Sequence, residues 1–432
     1  MANRLDIVIF GATGFTGLHC IPYVAKLSKA NGRNLSWGVA GRSEEKLKKT
    51  LKELGEKNGD NFDSIPIITA DIQDKDSIVN MAKKAKLVIN CCGPYRFFGE
   101  PVVKACIEAG AHHVDVSGEP EYMEKVQLEH HEAAVEKGVY AISACGLDSI
   151  PSDLGVAFVQ QNFEGTLNSV ETYLRGWTEG DVKGPLINYG TWDSAVHGLE
   201  NQHKLKTVRS KLFEKLKKVP SFSPKLKVKL YPHKSEHANG WVLPFLGSDQ
   251  SVIRRSQNYF YHYENQRPVQ VGTYFTVSST LALIGILFYA VIFAILSRFS
   301  FGRKLLLNYP ELFSGGFFSK EQPKEETIQN TWFSIDFYGE GWKEKLANKD
   351  DQYVTPVDRQ IVGQVKGQNP GYGSTCLLLT LAGIIILTEK EKLPNNGRGG
   401  IYPPGATFAK TSLVKQLNEN GLTFKIVSQN DI

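Results

Sequence analysis

Leu5-Asp-Ile-Val-Ile-Phe10-Gly11-Ala-Thr-Gly14-Phe-Thr-Gly17 decides how the chain begins to fold. A short, consecutively apolar run ends in three glycines spaced Gly-x-x-Gly-x-x-Gly, and a helical pattern opens at once. Apolar residues on successive rather than alternate positions mark a strand covered on both faces, as in a parallel sheet. Glycines at such a junction permit a tight turn and close backbone approach. The amide groups of Gly11, Ala12, Thr13, Gly14, Phe15, Thr16 and Gly17, with a helix dipole behind them, can then receive a pyrophosphate. Alone the spacing is weak, because glycine-rich turns also arise for steric reasons. Its place between strand and helix gives it force.

The pattern repeats downstream. Strand candidates are Asp6–Phe10, Leu35–Ala40, Ile65–Ala70, Leu87–Cys91, His113–Val116 and Val139–Ala144. Helical segments alternate with them. Pro101 fits the first turn of a helix over Val102–Ala109 that Gly110 closes, and Pro120 opens a longer one to Lys137 that Gly138 stops. Six such alternations predict a doubly wound α/β sheet over residues 1–150.

The end of the second strand selects among dinucleotides. An Asp or Glu there would hold a ribose 2′-hydroxyl; this chain has Val39-Ala-Gly-Arg42-Ser43. A guanidinium at that place pairs with a 2′-phosphate, which an acid would repel, so the expected cofactor is NADP(H), with Arg42 and Ser43 beside it. The alternative is an exposed arginine with no ligand. Asp71, after the third strand, is a candidate adenine-side contact, and a helix or turn cap explains it equally. Asn90-Cys-Cys92-Gly93-Pro94-Tyr95 follows the fourth strand. Ligands of open α/β sheets lie at the carboxyl ends of strands, so this loop should pass near the nicotinamide, with Tyr95 and Arg96 facing the cleft.

Length and composition bound the remainder. At 432 residues two domains are expected. With 41% hydrophobic and 22% charged residues the chain is neither disordered nor collagen-like. Its six cysteines, Cys20, Cys91, Cys92, Cys106, Cys145 and Cys376, form no CxxC pair and predict buried, reduced thiols. No signal peptide is apparent, which predicts a cytoplasmic first domain. Adjacent histidines (His112-His113, His130-His131) make poor chelates, and no metal site or nucleic-acid partner is expected. Residues 203–234 carry eleven Lys/Arg against one acid, Glu214, and read as a solvated segment or as the complement of an anionic surface.

Later, Pro268–Ser297 contains no charge and is bracketed by Arg267 and Arg298. Val277–Leu296 reaches the ~20 residues that a bilayer core requires; a buried core helix is the alternative. A shallow or re-entrant insertion keeps both ends on one side. Cys376–Leu387, shorter, reads as a core helix. Ser169–Arg175, Val269–Val277 and Tyr353–Val365 read as strands of an antiparallel sheet.

GATGFTG, AGRS, NCCGPYRFFGEPVVKAC, HHVDVSGEPEY and GLDSIPSDLG together resemble the saccharopine dehydrogenase-like oxidoreductases of animals. Those are similar to saccharopine reductase and, more distantly, to bacterial trans-acting enoyl reductases of glycolipid synthesis. The resemblance implies an N-terminal Rossmann domain (1–150), a second α+β domain (151–400, with apolar segment 268–297) and a C-terminal segment, 401–432, returning to the first. It also implies lipid droplets or neighbouring membranes, endoplasmic or mitochondrial, as partners. No saccharopine-binding set of arginines can be matched.

Hydride transfer needs orientation more than a nucleophile. Two places at the carboxyl ends of strands face the crevice: Asp115-Val-Ser117-Gly-Glu119 after the fifth and Gly146-Leu-Asp148-Ser149-Ile-Pro151-Ser-Asp153 after the sixth. Candidate proton donors are Tyr95 and Asp148; Asp148 and Asp153 as helix caps are the competing view. The expected substrate is a hydrophobic or lipid-like small molecule. A non-catalytic NADP-binding scaffold and a soluble amino-acid dehydrogenase are the rival readings. Homodimerisation is left open.

Overall fold

The structure, a computed structural model, describes residues 4–147, 149–180, 187–200, 202–214, 216–321, 323–353 and 355–432. The chain divides into two units: Met1–Leu147 with Tyr372–Asn420, and Asp148–Gly371 with Gly421–Ile432.

The first unit starts with β1 (Leu5–Phe10), α1 (Phe15–Leu27), β2 (Trp37–Gly41), α2 (Glu44–Asn58), β3 (Ile67–Thr69) and α3 (Lys75–Lys83). It continues through β4 (Ala85–Asn90), α4 (Tyr95–Ala109), β5 (His112–Asp115), α5 (Pro120–Lys137) and β6 (Ala141–Ile142). The sheet order is β3-β2-β1-β4-β5-β6, and every pair is parallel. Ile7, Val8, Ile9, Leu87, Val88 and Ile89 are fully buried, which accounts for the unbroken apolar runs. One expectation is corrected here: α4 begins at Tyr95, with Pro101 inside it. The Tyr95 amide donates to Glu119 Oε1 at 3.0 Å, which anchors the first turn six residues earlier than the proline suggests.

The second unit runs through α6 (Ile150–Asn162), β7 (Thr166–Thr178), β8 (Ile187–Asn188), α7 (Tyr189–Glu200), α8 (Gln202–Glu214), β9 (Trp241–Pro244) and α9 (Asp249–Tyr263). Then follow β10 (Gln270–Val277), α10 (Thr280–Leu296), α11 (Ser300–Asn308), α12 (Pro310–Phe313), β11 (Phe318–Ser319), α13 (Glu325–Gln329), β12 (Thr331–Trp342) and β13 (Arg359–Gln368). After α14 (Thr375–Thr388), α15 (Pro404–Phe408) and α16 (Leu413–Glu419) in the first unit, β14 (Thr423–Asp431) returns to the second. Its sheet has the order β14-β13-β12-β7-β10-β9. The sheet is mixed, not antiparallel throughout, because β10 lies parallel to β7. Helix α6 packs on β12 and β13, and Phe158 meets Phe424 of β14 edge-on at 6.0 Å.

Two segments fall on the other side of the expected domain boundaries. Helix α14, placed by its sequence position in the second domain, belongs to the first unit, where it packs on α1, β4 and β5. Residues 421–432 lie in the second unit, since β14 pairs antiparallel with β13 along its length. Within the segment expected to return, 401–420 lies in the first unit. Asp153, expected as a cap of α6, instead accepts a hydrogen bond from Ser256 Oγ at 2.7 Å. Asp148 lies outside the described residues.

Candidate cofactor site

The cradle is built where β1 gives way to α1. Gly11 has φ +80°, a left-handed conformation, and its amide donates to Ala40 O at 3.0 Å, tying the turn to the end of β2. A Cβ at Gly11 would lie 2.6 Å from Cys92 Sγ; one at Gly17 would lie 2.3 Å from Gly11 O. The first glycine lets the β1 and β4 loops touch, and the third lets α1 close onto its own entry turn. Ala12 is fully buried beneath the turn, whereas Thr13 and Gly14 face solvent. Gly14 is the N-cap of α1; no side chain caps this end and no acid occupies the first turn. The amides of the first turn, having no intrahelical acceptor, thus form a seat for an anion. Phe15 turns away, packing against His19 and Tyr372 with centroids 4.6 and 4.3 Å apart, and Thr16 O accepts from the Cys376 thiol at 3.5 Å.

Arg42 follows β2 directly and is exposed. It lies close enough to Cys92 for its charge to act on that thiol, though burial dominates and pushes the thiol up to about 12. Ser43 Oγ accepts from the Lys46 amide at 3.3 Å, so Ser43 caps α2 while its hydroxyl proton remains available. Asp71 accepts from the Gln73 amide at 3.0 Å, which is the turn-capping role.

The loop after β4 is braced from within. Asn90 Oδ1 accepts from the Cys92 amide at 3.0 Å, and Gly93–Pro94 is a cis peptide bond leading into α4. Tyr95 is only 7% exposed, and its hydroxyl donates to Asn90 O at 3.0 Å. Arg96 Nε pairs with Glu119 Oε2 at 2.5 Å, both side chains buried. Tyr95 and Arg96, expected to face the cleft, therefore point into the unit: as the first helical residues they reach toward the head of α5.

Beneath the loop lies a network centred on Asp115. Tyr122 and Ser143 hydroxyls each donate to Asp115 Oδ2 at 2.9 Å, and the Ser117 amide donates to Oδ1 at 2.9 Å. Burial pushes the Asp115 carboxyl up to about 6 against these bonds. His113 Nε2 lies 3.9 Å from Asp115 Oδ2, and burial lowers its pKa to about 3. His113, near the start of β5, is fully buried. All six cysteines are free; Cys20, Cys91 and Cys376 lie close enough to act on one another's thiols, and Cys20 and Cys91 are both raised well above the ordinary thiol value. Glu100, Glu129 and His130 come together on α4 and α5, where Lys125 Nζ, 2.7 Å from Glu100, supplies the neutralising charge.

A parallel sheet in the order 3-2-1-4-5-6, a glycine cradle at its switch point and Arg42 at the end of β2 define a Rossmann-type NADP(H)-binding oxidoreductase. Residues 7–142 match the family model described as saccharopine dehydrogenase NADP binding domain. The chain is 39% identical to the human saccharopine dehydrogenase-like oxidoreductase, over 99% of this chain and 98% of that one. It is 37% identical to a Caenorhabditis elegans protein named lipid droplet localized protein, across the full length of both. The chain belongs to the saccharopine dehydrogenase-like oxidoreductases. Apo saccharopine dehydrogenase (L-Glu forming) from Saccharomyces cerevisiae shares the fold, at TM-score 0.54 and 16% identity, covering 98% of this chain and all of that one.

Proposed function

We propose that the protein is an NADPH-dependent reductase of a hydrophobic, lipid-like carbonyl or imine, working at the cytoplasmic face of a lipid droplet or membrane. One observation carries the reading: a chain with an open phosphate cradle also exposes α10, an apolar helix of which Leu283 alone is buried. The name of the worm relative supports the droplet as the place of work.

The cofactor supplies the hydride. The amides of Gly11, Ala12 and Gly14 are already engaged by backbone carbonyls, so Thr13 and the first turn of α1 (Phe15, Thr16, Gly17) would hold its pyrophosphate, and Arg42 with Ser43 would hold the 2′-phosphate. Cys92, Gly93 and Pro94 would line the place of the nicotinamide. Tyr95 acts as a positioning residue that fixes this loop through Asn90. Asp148, by its place in the sequence after β6, is the candidate donor of the proton that completes reduction. The test is NADPH oxidation by the full-length protein against fractionated lipid extracts. Turnover that Asp148→Asn abolishes while NADPH still binds supports the assignment; binding without turnover in any fraction rejects catalysis.

A second reading, a non-catalytic NADP-binding droplet protein, is favoured by the engagement of the Tyr95 hydroxyl with a backbone carbonyl. The same screen separates the two.

A further inference from the structure

Helix α10 poses a problem that its own unit does not solve. Every residue from Leu281 to Leu296 is apolar or glycine apart from the hydroxyl of Tyr289. One stripe, including Tyr289, Phe293 and Leu296, turns inward. Phe293 meets Trp192 of α7 at 4.9 Å, and both Phe293 and Leu296 pack against the cluster containing Leu306 of α11. The opposite stripe, Leu281, Ile284, Phe288, Val291 and Ile295, is exposed, Leu281 to 80% and Phe288 to 60%. The segment after it adds Phe299 and Phe301, the latter 71% exposed. Helix α14 has much the same composition, yet is buried over nearly all its length. A helix apolar all round belongs in an apolar medium, and for α10 the protein provides half of one.

We propose that α10 lies in the plane of a single phospholipid leaflet, its outer stripe among the acyl chains, and does not cross a bilayer. This rests on the lipid-surface reading above and specifies its mode. Three observations carry it. The helix has 17 residues, roughly 25 Å at ~1.5 Å per residue, short of a hydrocarbon core of ~30 Å. The strand before it, β10, and a strand after it, β12, both pair with β7. The first unit likewise contains chain from before and after α10. A single crossing would divide each fold across the membrane. Finally, both ends of α10 carry the groups that mark a headgroup boundary. At its start Trp241 Nε1 donates to Thr280 Oγ1 at 3.1 Å, with Lys234 Nζ 4.6 Å from the indole centroid. At its end stand exposed Arg298 and Lys304, with Arg303 donating to Ser297 O at 3.1 Å. Between Glu264 and Glu311 there is no acid, so the surface suits anionic headgroups. Such markers put both ends at a headgroup boundary, and the pairing of β10 and β12 with the one strand β7 keeps both ends on the same side, which is the in-plane arrangement.

The test uses the full-length protein and triolein droplets coated with phosphatidylcholine and phosphatidylserine, with the double variant Phe288→Asp, Val291→Asp. Both positions are exposed, and unchanged NADPH binding by the variant reports an intact fold. The parent should float with the droplets and the variant should lose roughly tenfold or more of its bound fraction. In sealed microsomes, epitopes at the amino and carboxyl termini should both be removed by added protease. If the parent itself fails to float, the lipid-surface reading falls. If the parent floats and the variant floats equally, or one terminal epitope is protected, only the in-plane insertion is overturned. A parent dimer that the variant makes monomeric, with flotation unchanged, assigns the face to a second copy and also overturns it.

Discussion

Gly11 and Cys92 meet at the centre of the cradle: a Cβ at Gly11 would stand 2.6 Å from the Cys92 sulfur. The phosphate turn and the loop beyond β4 are thus shaped against each other.

Gly11→Ala places a side chain at φ +80° and drives it into that sulfur. The expected cost is about 1–3 kcal/mol of folding stability, measured by urea denaturation. NADPH affinity in the folded fraction should also fall, since the displaced turn carries the phosphate-binding amides. Gly11→Ala with Cys92→Ala should recover part of the stability; no recovery would place the strain in the backbone alone.

Arg42→Asp should narrow or invert the preference for NADPH over NADH. Removing a charge-assisted contact weakens NADPH by roughly tenfold or more, while NADH gains an acceptor for its ribose. Isothermal titration with both cofactors measures this, and an unchanged ratio would exclude Arg42 from the 2′-phosphate site.

Much of the first unit was legible. Its strands fall within about two residues of the apolar runs, because helices cover both faces and each strand is apolar on successive positions. The helix starts were less so: Pro101 is a good first-turn cue, but the Tyr95–Glu119 bond joins residues far apart in sequence and decides otherwise. The same non-local pairing hid the second domain boundary, since nothing in Thr423–Asp431 indicates that it pairs with β13. Helices α10 and α14 are alike in composition, yet the lengths of their apolar runs told them apart: Cys376–Leu387, the shorter, reads as a core helix and is buried, whereas the longer run faces outward along one stripe. In the site, the glycines and Arg42 could be found because a backbone motif carries them. Asp115 stood out by its place at the end of β5, but the inward turn of Tyr95 and the bonds from Tyr122 and Ser143 to Asp115 could not be read, being products of tertiary packing.

Arg96→Met should cost about 3–5 kcal/mol, because the Glu119 carboxylate stays buried without its guanidinium. Adding Glu119→Gln removes the stranded charge and should restore a good part of the loss. Chemical denaturation of both variants checks this; an equal loss in single and double variants would mean that the pair acts only through packing.

Stability should fall as pH drops below about 6.5. Burial lowers His113 to about 3 and His112 to about 4, so the unfolded chain takes up protons first. Such depressed groups contribute stability that is present above the unfolded value and lost as pH falls through the folded one. Asp115, pushed up to about 6, has the opposite sign: its contribution is present below the ordinary 3.8 and lost as pH rises through about 6. Two histidines outweigh one carboxyl between pH 6 and 4. His113→Gln should therefore make the slope of unfolding free energy against pH shallower there, by up to about 1.4 kcal/mol per pH unit. An unchanged slope would show that His113 is not held neutral.

The most direct test of the cofactor site is a calorimetric titration of the unmodified full-length protein with NADPH and, separately, NADH. Saturable one-to-one binding of NADPH, tighter than NADH by roughly tenfold or more, is the result expected from a glycine cradle with Arg42 at its edge. Equal affinities, or no heat from either dinucleotide, would contradict it.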